Sequence, residues 1–295
     1  MKWFILAIAI LVLPAFAPVE SHAAKDFSIV CDGGAILVEY KTSKILFEQE
    51  ADKRWPPASI TKLMTAVIAL EKGDLRDDIT FSFNATNQKG SKLGIKEGMS
   101  VPLYPLIEAM LVKSGSDAAV AIAEHISGSE KEFVKLMNEK AQVIGMTNTN
   151  FMNATGLPDD KQYSTARDLA KLAVYAIGRE DLRTIVSKRE IEFINSDGTG
   201  NTILHSTNRL LGQHPLVDGI KTGFTIKSKY CLAASACFRD YRLIAVVLGA
   251  ERKNVWKETS KLLDWGFIAH DPMYPVYLEF ELPINVGNDE TSAEE

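Results

Sequence analysis

The chain of 295 residues carries three cysteines, Cys31, Cys231 and Cys237. An odd number closes no disulfide framework. Cys231 and Cys237 fall six residues apart on one apparent strand, about 20 Å, where a bridge spans about 6 Å between alpha carbons. The three thiols are therefore expected to be small buried hydrophobes. No Cys/His pair stands at metal-ligand spacing, so no metal and no cofactor is expected. Basic runs and basic-aromatic interleaving are missing too, which removes nucleic acid as a partner. Internal repeats and low-complexity stretches are absent. Net charge is small, -5, and Asp289, Glu290, Glu294 and Glu295 supply most of it, leaving the remaining chain nearly neutral.

Long apolar runs are also scarce. The eleven residues from Trp3 to Leu13 follow Lys2 and stop at Pro14, short of the roughly 20 a bilayer requires. Ser21-His22-Ala23 then supplies small residues where a signal peptidase cuts. Residues 1–23 are expected to be a secretory signal peptide, retained as an anchor only if uncleaved, and the protein to be exported to the periplasm or the outer face of the cytoplasmic membrane.

Apolar residues, in contrast, make up 46% of the chain, enough for a large core. Strand-like alternation covers residues 27–48 (Ile29, Cys31 and Ala35–Val38, then Ile45–Phe47), forming a hairpin. Helical patterns start near Ser59 and stop at Gly73, run from Pro105 to Val112, from an Asp117 cap through Ile126, from Glu130 to Ile144, and from Thr165 to Ile177. Lys188–Phe193 and Ile203–Asn208 flank the turn signal Asp197-Gly198-Thr199-Gly200. Three strands follow, Val217–Phe224, Tyr230–Phe238 and Tyr241–Gly249, then a helix from Val255 to Phe267. Strands at both ends around a helical middle predict an α/β (α+β) fold: an antiparallel sheet built from both chain ends, flanked by helices, with 81–215 as a mostly helical insert within a domain of residues 24–270. Residues 271–295 read as a short strand, Val276–Leu282, and an acidic tail.

Chemistry enters at Ser59-Ile60-Thr61-Lys62. One helical turn separates the two polar residues, so hydroxyl and amine face the same way. A serine becomes a nucleophile when a base takes its proton, and a lysine with a lowered pKa is such a base. Ser-x-x-Lys alone is expected by chance roughly once in such a chain, and the alternative is an N-cap serine followed by a solvated lysine. Ser114-Gly115-Ser116 lies in a turn between helices, and Lys221-Thr222-Gly223 ends an apolar strand; the three patterns together are hard to assign to chance.

With these motifs the chain resembles the serine D-alanyl-D-alanine carboxypeptidases of the penicillin-binding proteins. The likeness runs from about Ser28 to His270 and includes Gly145–Leu157, Ser164–Leu169, Asp218–Thr225 and Leu262–Phe267. It implies Ser59 as acylated nucleophile, Lys62 as its proton acceptor, and Ser114 as the relay to the departing amine. Lys221 and Thr222 would bind the substrate's terminal carboxylate, Ser116 its amide, and Gly223 would leave the strand edge open to peptide. The N–H groups of Ser59 and Phe224 would form the oxyanion hole. Implied partners are peptidoglycan stem peptides as substrates and beta-lactams as covalent inhibitors.

The chain departs from the family pattern in three places. Ser116 replaces the usual Asn, Ser228-Lys229 replaces Ala-Gly, and an arginine near the last helix is not at its usual place in Arg252–Trp256. The first departure motivates an alternative, a weakly hydrolytic stem-peptide-binding protein. A beta-lactamase is the third candidate, but the glutamate its class A form uses for deacylation has no recognisable counterpart. Many relatives continue into a beta-rich domain and an amphipathic anchor; neither a second domain nor a C-terminal membrane anchor is expected here.

Overall fold

The computed structural model describes residues 27–194 and 201–276. A hairpin comes first, β1 (Gly34–Glu39) and β2 (Ile45–Gln49), with Leu37 opposite Phe47. A 3-10 turn at Ala58–Thr61 then runs directly into α1 (Lys62–Lys72), buried from Lys62 through Leu70. The short β3 (Asp78–Thr80) and β4 (Ser100–Pro102) pair with each other across α2 (Phe83–Thr86). Helices α3 (Leu103–Val112), α4 (Ser116–Ser127), α5 (Glu130–Val143), α6 (Ala166–Ile177) and α7 (Glu180–Val186) follow. A separate hairpin, β5 (Glu190–Ile194) and β6 (Asn201–His205), and the short α8 (Leu210–Gln213) lead to β7 (Val217–Thr225), β8 (Lys229–Phe238), β9 (Tyr241–Ala250) and α9 (Arg252–His270).

The main sheet runs β2-β1-β9-β8-β7, every pair antiparallel. The join of β1 to β9 is where the two ends of the chain meet. Strand β9 accounts for the layering. Leu243, Ala245 and Val247 face α9 and pack with Leu262, Leu263 and Phe267. Ile244, Val246 and Leu248 face the helical body containing α1, α3, α4 and α6. A strand covered on both faces reads as an unbroken apolar run, because alternate side chains enter different cores. The fold is thus the expected α+β sandwich of sheet and helices, and β7, its edge, borders the 3-10 turn.

Local differences have local causes. Ile29 and Cys31 precede β1 and belong to no strand. Only Cys231 is buried; Cys31 and Cys237, expected to be buried, are partly exposed. Asp117 is the second residue of α4 rather than its cap; its carboxylate accepts from the N–H groups of Leu93, Gly94 and Ala118. Thr165 does cap α6, accepting from Asp168 N. The signal peptide, the Asp197–Gly200 turn and the acidic tail lie outside the described residues, as does the Val276–Leu282 strand beyond its first residue. No helix among the described residues is long and apolar enough to cross a membrane.

Candidate active site

The unbroken passage from 3-10 turn to α1 fixes the first pair. Lys62 Nζ donates to Ser59 Oγ at 3.1 Å and to the Thr155 carbonyl at 2.7 Å. The lysine is fully buried. Burial drives its pKa well below the ordinary lysine range, the Lys221 charge pushes it further down, and Asp117 opposes them. In the neutral amine the same contact lets the Ser59 hydroxyl donate to nitrogen, the arrangement needed for proton removal.

Lys221 comes from β7 and is also buried. Its Nζ donates to Ser114 Oγ at 3.0 Å and to the Thr222 carbonyl at 3.1 Å. Burial pushes its pKa down to about 7. Ser114, between α3 and α4, holds a φ of +67°, a conformation costly for a non-glycine residue. Ser116 opens α4, anchored by its N–H to the Ser91 carbonyl at 2.7 Å. Thr222 shares a hydroxyl-hydroxyl hydrogen bond of 2.6 Å with Thr207.

Gly223 faces the 3-10 turn. A Cβ there would lie 3.1 Å from Ser59 N and 3.0 Å from Ala58 Cβ. The glycine thus lets β7 close against the turn that carries the serine, a different reason from the open strand edge expected for it. Phe224 is half-exposed and leans on Tyr230, ring centroids 4.4 Å apart.

Ser59, Ser114, Ser116, Thr222, Gly223 and Phe224 all line one cleft of about 600 Å³. Lys62 and Lys221 sit behind its wall, each bonded to a serine that lines it. No carboxylate lines the cleft among the described residues. Cys231 does, but burial raises its thiol to about 12, so it holds no thiolate at neutral pH. Arg252, the first residue of α9, also lines the cleft, beside Val255 and Trp256.

A model of the D-alanyl-D-alanine carboxypeptidase family matches residues 21–252. The chain belongs to that family. It is 38% identical over 249 residues to the D-alanyl-D-alanine carboxypeptidase DacF of Bacillus subtilis, covering 82% of this chain and 64% of the relative. Identity to DacA of Escherichia coli is likewise 38%, over 255 residues, covering 82% and 62%. Penicillin-binding protein 5 of Haemophilus influenzae superposes with a TM-score of 0.75 at 36% identity, covering 82% of this chain and 72% of that one. The chain therefore spans a little under two thirds of the length of the two carboxypeptidases named first.

Family membership leaves several neighbours of the site to be found by geometry. Asn153 Oδ1 accepts from Thr155 N, Thr155 Oγ1 and Gly156 N, fixing the carbonyl that receives Lys62. Gly156, with φ +83°, lies so close to the 3-10 turn that a Cβ would sit 1.8 Å from the Ala58 carbonyl. The likeness of Gly145–Leu157 to the family was visible in the sequence, but its contact with Lys62 was not. The family departure at Ser228-Lys229 is accommodated: Ser228 Oγ accepts from Thr225 N at 2.8 Å, and Lys229 takes φ +53°, its amine bridging Asp32 and Glu251.

Proposed function

We propose that the protein is a serine D-Ala-D-Ala carboxypeptidase that removes the terminal D-alanine from peptidoglycan stem pentapeptides outside the cytoplasm, within a catalytic domain of residues 24–270. Neutral Lys62 takes the Ser59 proton as Oγ attacks the penultimate carbonyl carbon. The negative charge that develops on the carbonyl oxygen is met by the N–H groups of Ser59 and Phe224. Collapse breaks the C–N bond, and the proton passes from Lys62 through Ser114 to the leaving amine. Water then attacks the ester, with Lys62 again accepting a proton, and releases the shortened peptide and free Ser59. Lys221 and Thr222 bind the terminal carboxylate, with Arg252 taking the place of the arginine missing from its usual position; Ser116 meets the substrate amide. No step calls on a metal or cofactor.

The observation that carries this reading is the fully buried Lys62 amine 3.1 Å from Ser59 Oγ. It is tested by incubating the protein with a pentapeptide ending in D-Ala-D-Ala beside its Ser59→Ala variant. D-Alanine should appear with the first and not the second; no release by either would overturn it. Ser116 favours a second reading, a protein that holds stem peptides and hydrolyses them poorly, because a hydroxyl cannot offer an amide both a donor and an acceptor at the reach of Asn. Tight binding of the pentapeptide without D-alanine release is its signature. Beta-lactams should acylate Ser59 in the first reading.

A further inference from the structure

A second cavity adjoins the cleft, sharing His205, Ser206 and Arg209 with it, and the carboxypeptidase reading leaves it without a role. It encloses about 530 Å³ and is lined by Arg189, Glu190, His205, Asn208 and Arg209 among others. His205, Ser206 and Arg209 line both spaces, and Thr207, next in the chain, bonds to Thr222. The annexe therefore lies at the end of the cleft where the terminal carboxylate of the substrate is placed above. A group extending past that carboxylate belongs to the leaving half of the scissile peptide.

Among the described residues lining the annexe, two arginines face one carboxylate. Neither Arg189 nor Arg209 has an ion-pair partner among the described residues. Among the described residues Glu190 is the one carboxylate lining the space, and it pairs with His205 at 3.4 Å. The Arg189 guanidinium lies over Gly212 of α8, where a side chain would collide with it. Two permanently charged forks facing one space suit a carboxylate, which each can grip through two hydrogen bonds. Free D-alanine, whose single carboxylate is taken by Lys221 and Thr222, has nothing to offer there.

We infer that the annexe binds a second carboxylate on the leaving residue, so that the enzyme favours donors whose leaving D-amino acid carries a long acidic side chain. This rests on the acyl-transfer reading of the cleft. The covalent step is unchanged: Ser59 Oγ forms the ester, the C–N bond breaks, and its proton goes to the amine of the acidic leaving residue.

The test uses two donors, a diacyl-L-lysyl-D-alanyl-D-alanine and the same peptide ending in D-α-aminoadipate, with the full chain, Arg189→Ala and Arg189→Glu. The wild type should show the higher kcat/KM for the aminoadipate donor. Arg189→Ala should cut that preference about three- to tenfold, the range for an exposed charged pair strengthened by two-point hydrogen bonding, through KM rather than kcat, and Arg189→Glu should reverse it. Binding of the aminoadipate donor to Ser59→Ala, with and without Arg189→Glu, is measured alongside by calorimetry. Weaker binding with Arg189→Glu supports the annexe even if neither donor is cleaved, a result that sinks only the catalytic reading. Cleavage of both donors with no dependence on residue 189 in rate or binding overturns the annexe and leaves the catalytic reading standing.

Discussion

Lys221 Nζ reaches Ser114 Oγ at 3.0 Å, joining the edge strand β7 to the turn between α3 and α4 across 107 positions of chain. Each lysine of the site is thus bonded to its own serine, Lys62 to Ser59 and Lys221 to Ser114. Both amines are buried, which lowers the pKa of each, and the charge of Lys221 pushes that of Lys62 down further. A charged Lys221 therefore favours the neutral form of the amine beside Ser59.

The pH dependence follows from that coupling. In the proposed mechanism Lys62 must be neutral to accept a proton, so activity should rise with pH through its lowered pKa. In the same mechanism Lys221 must be charged to hold a carboxylate, so activity should fall as pH rises through about 7, where burial places it. In free enzyme kcat/KM should trace a bell whose alkaline limb belongs to Lys221. A bound carboxylate favours the charged amine, so the alkaline limb of kcat should lie at higher pH than that of kcat/KM. Steady-state rates across pH 5 to about 10 check this; coincident limbs would contradict it.

Gly223→Ala should cost activity more than stability. The added Cβ would meet Ala58 and Ser59 at the 3-10 turn and push the nucleophile away from β7. A displacement of about 1 Å can lower the rate of acylation about 100-fold, whereas overpacking costs about 1–3 kcal/mol. Penicillin acylation rates and urea unfolding measured together distinguish the two; an unchanged acylation rate would show that the close approach is not needed for chemistry.

Ser116→Asn tests the departure from the family pattern. The residue opens α4 at the cleft wall, with Gly90 beside it leaving room for a longer side chain. A restored amide that meets the substrate with one further hydrogen bond, about 0.5–1.5 kcal/mol, should raise kcat/KM for a D-Ala-D-Ala peptide roughly two- to tenfold. No gain would mean that the serine already satisfies the substrate.

The sequence revealed most of this architecture where the periodicity was long. Strands β7, β8 and β9 showed as apolar runs broken at Arg239-Asp240, and α1, α5 and α6 as periodic segments with clear stops. Helices α2 and α7 were missed because four and seven residues hold too little periodicity to register. Asp117 was misread as a cap because its partners, Leu93 and Gly94, lie far back in the chain. The site was legible as three motifs, since each is local. What holds them in place was not: Asn153 behind Lys62, Thr207 beside Thr222, and the Gly223 contact with Ser59 are all set by tertiary packing.

The central claim is that Ser59, activated by Lys62, is the residue that takes the acyl group. Covalent labelling with a fluorescent penicillin, followed by mass spectrometry of the digested adduct, tests it most directly. With no carboxylate among the described residues lining the cleft to activate water in the class A manner, the adduct should persist long enough to map and should fall on Ser59, and Lys62→Ala should label far more slowly. An adduct on another residue, rapid turnover of the penicillin, or equal labelling of Lys62→Ala would contradict the account.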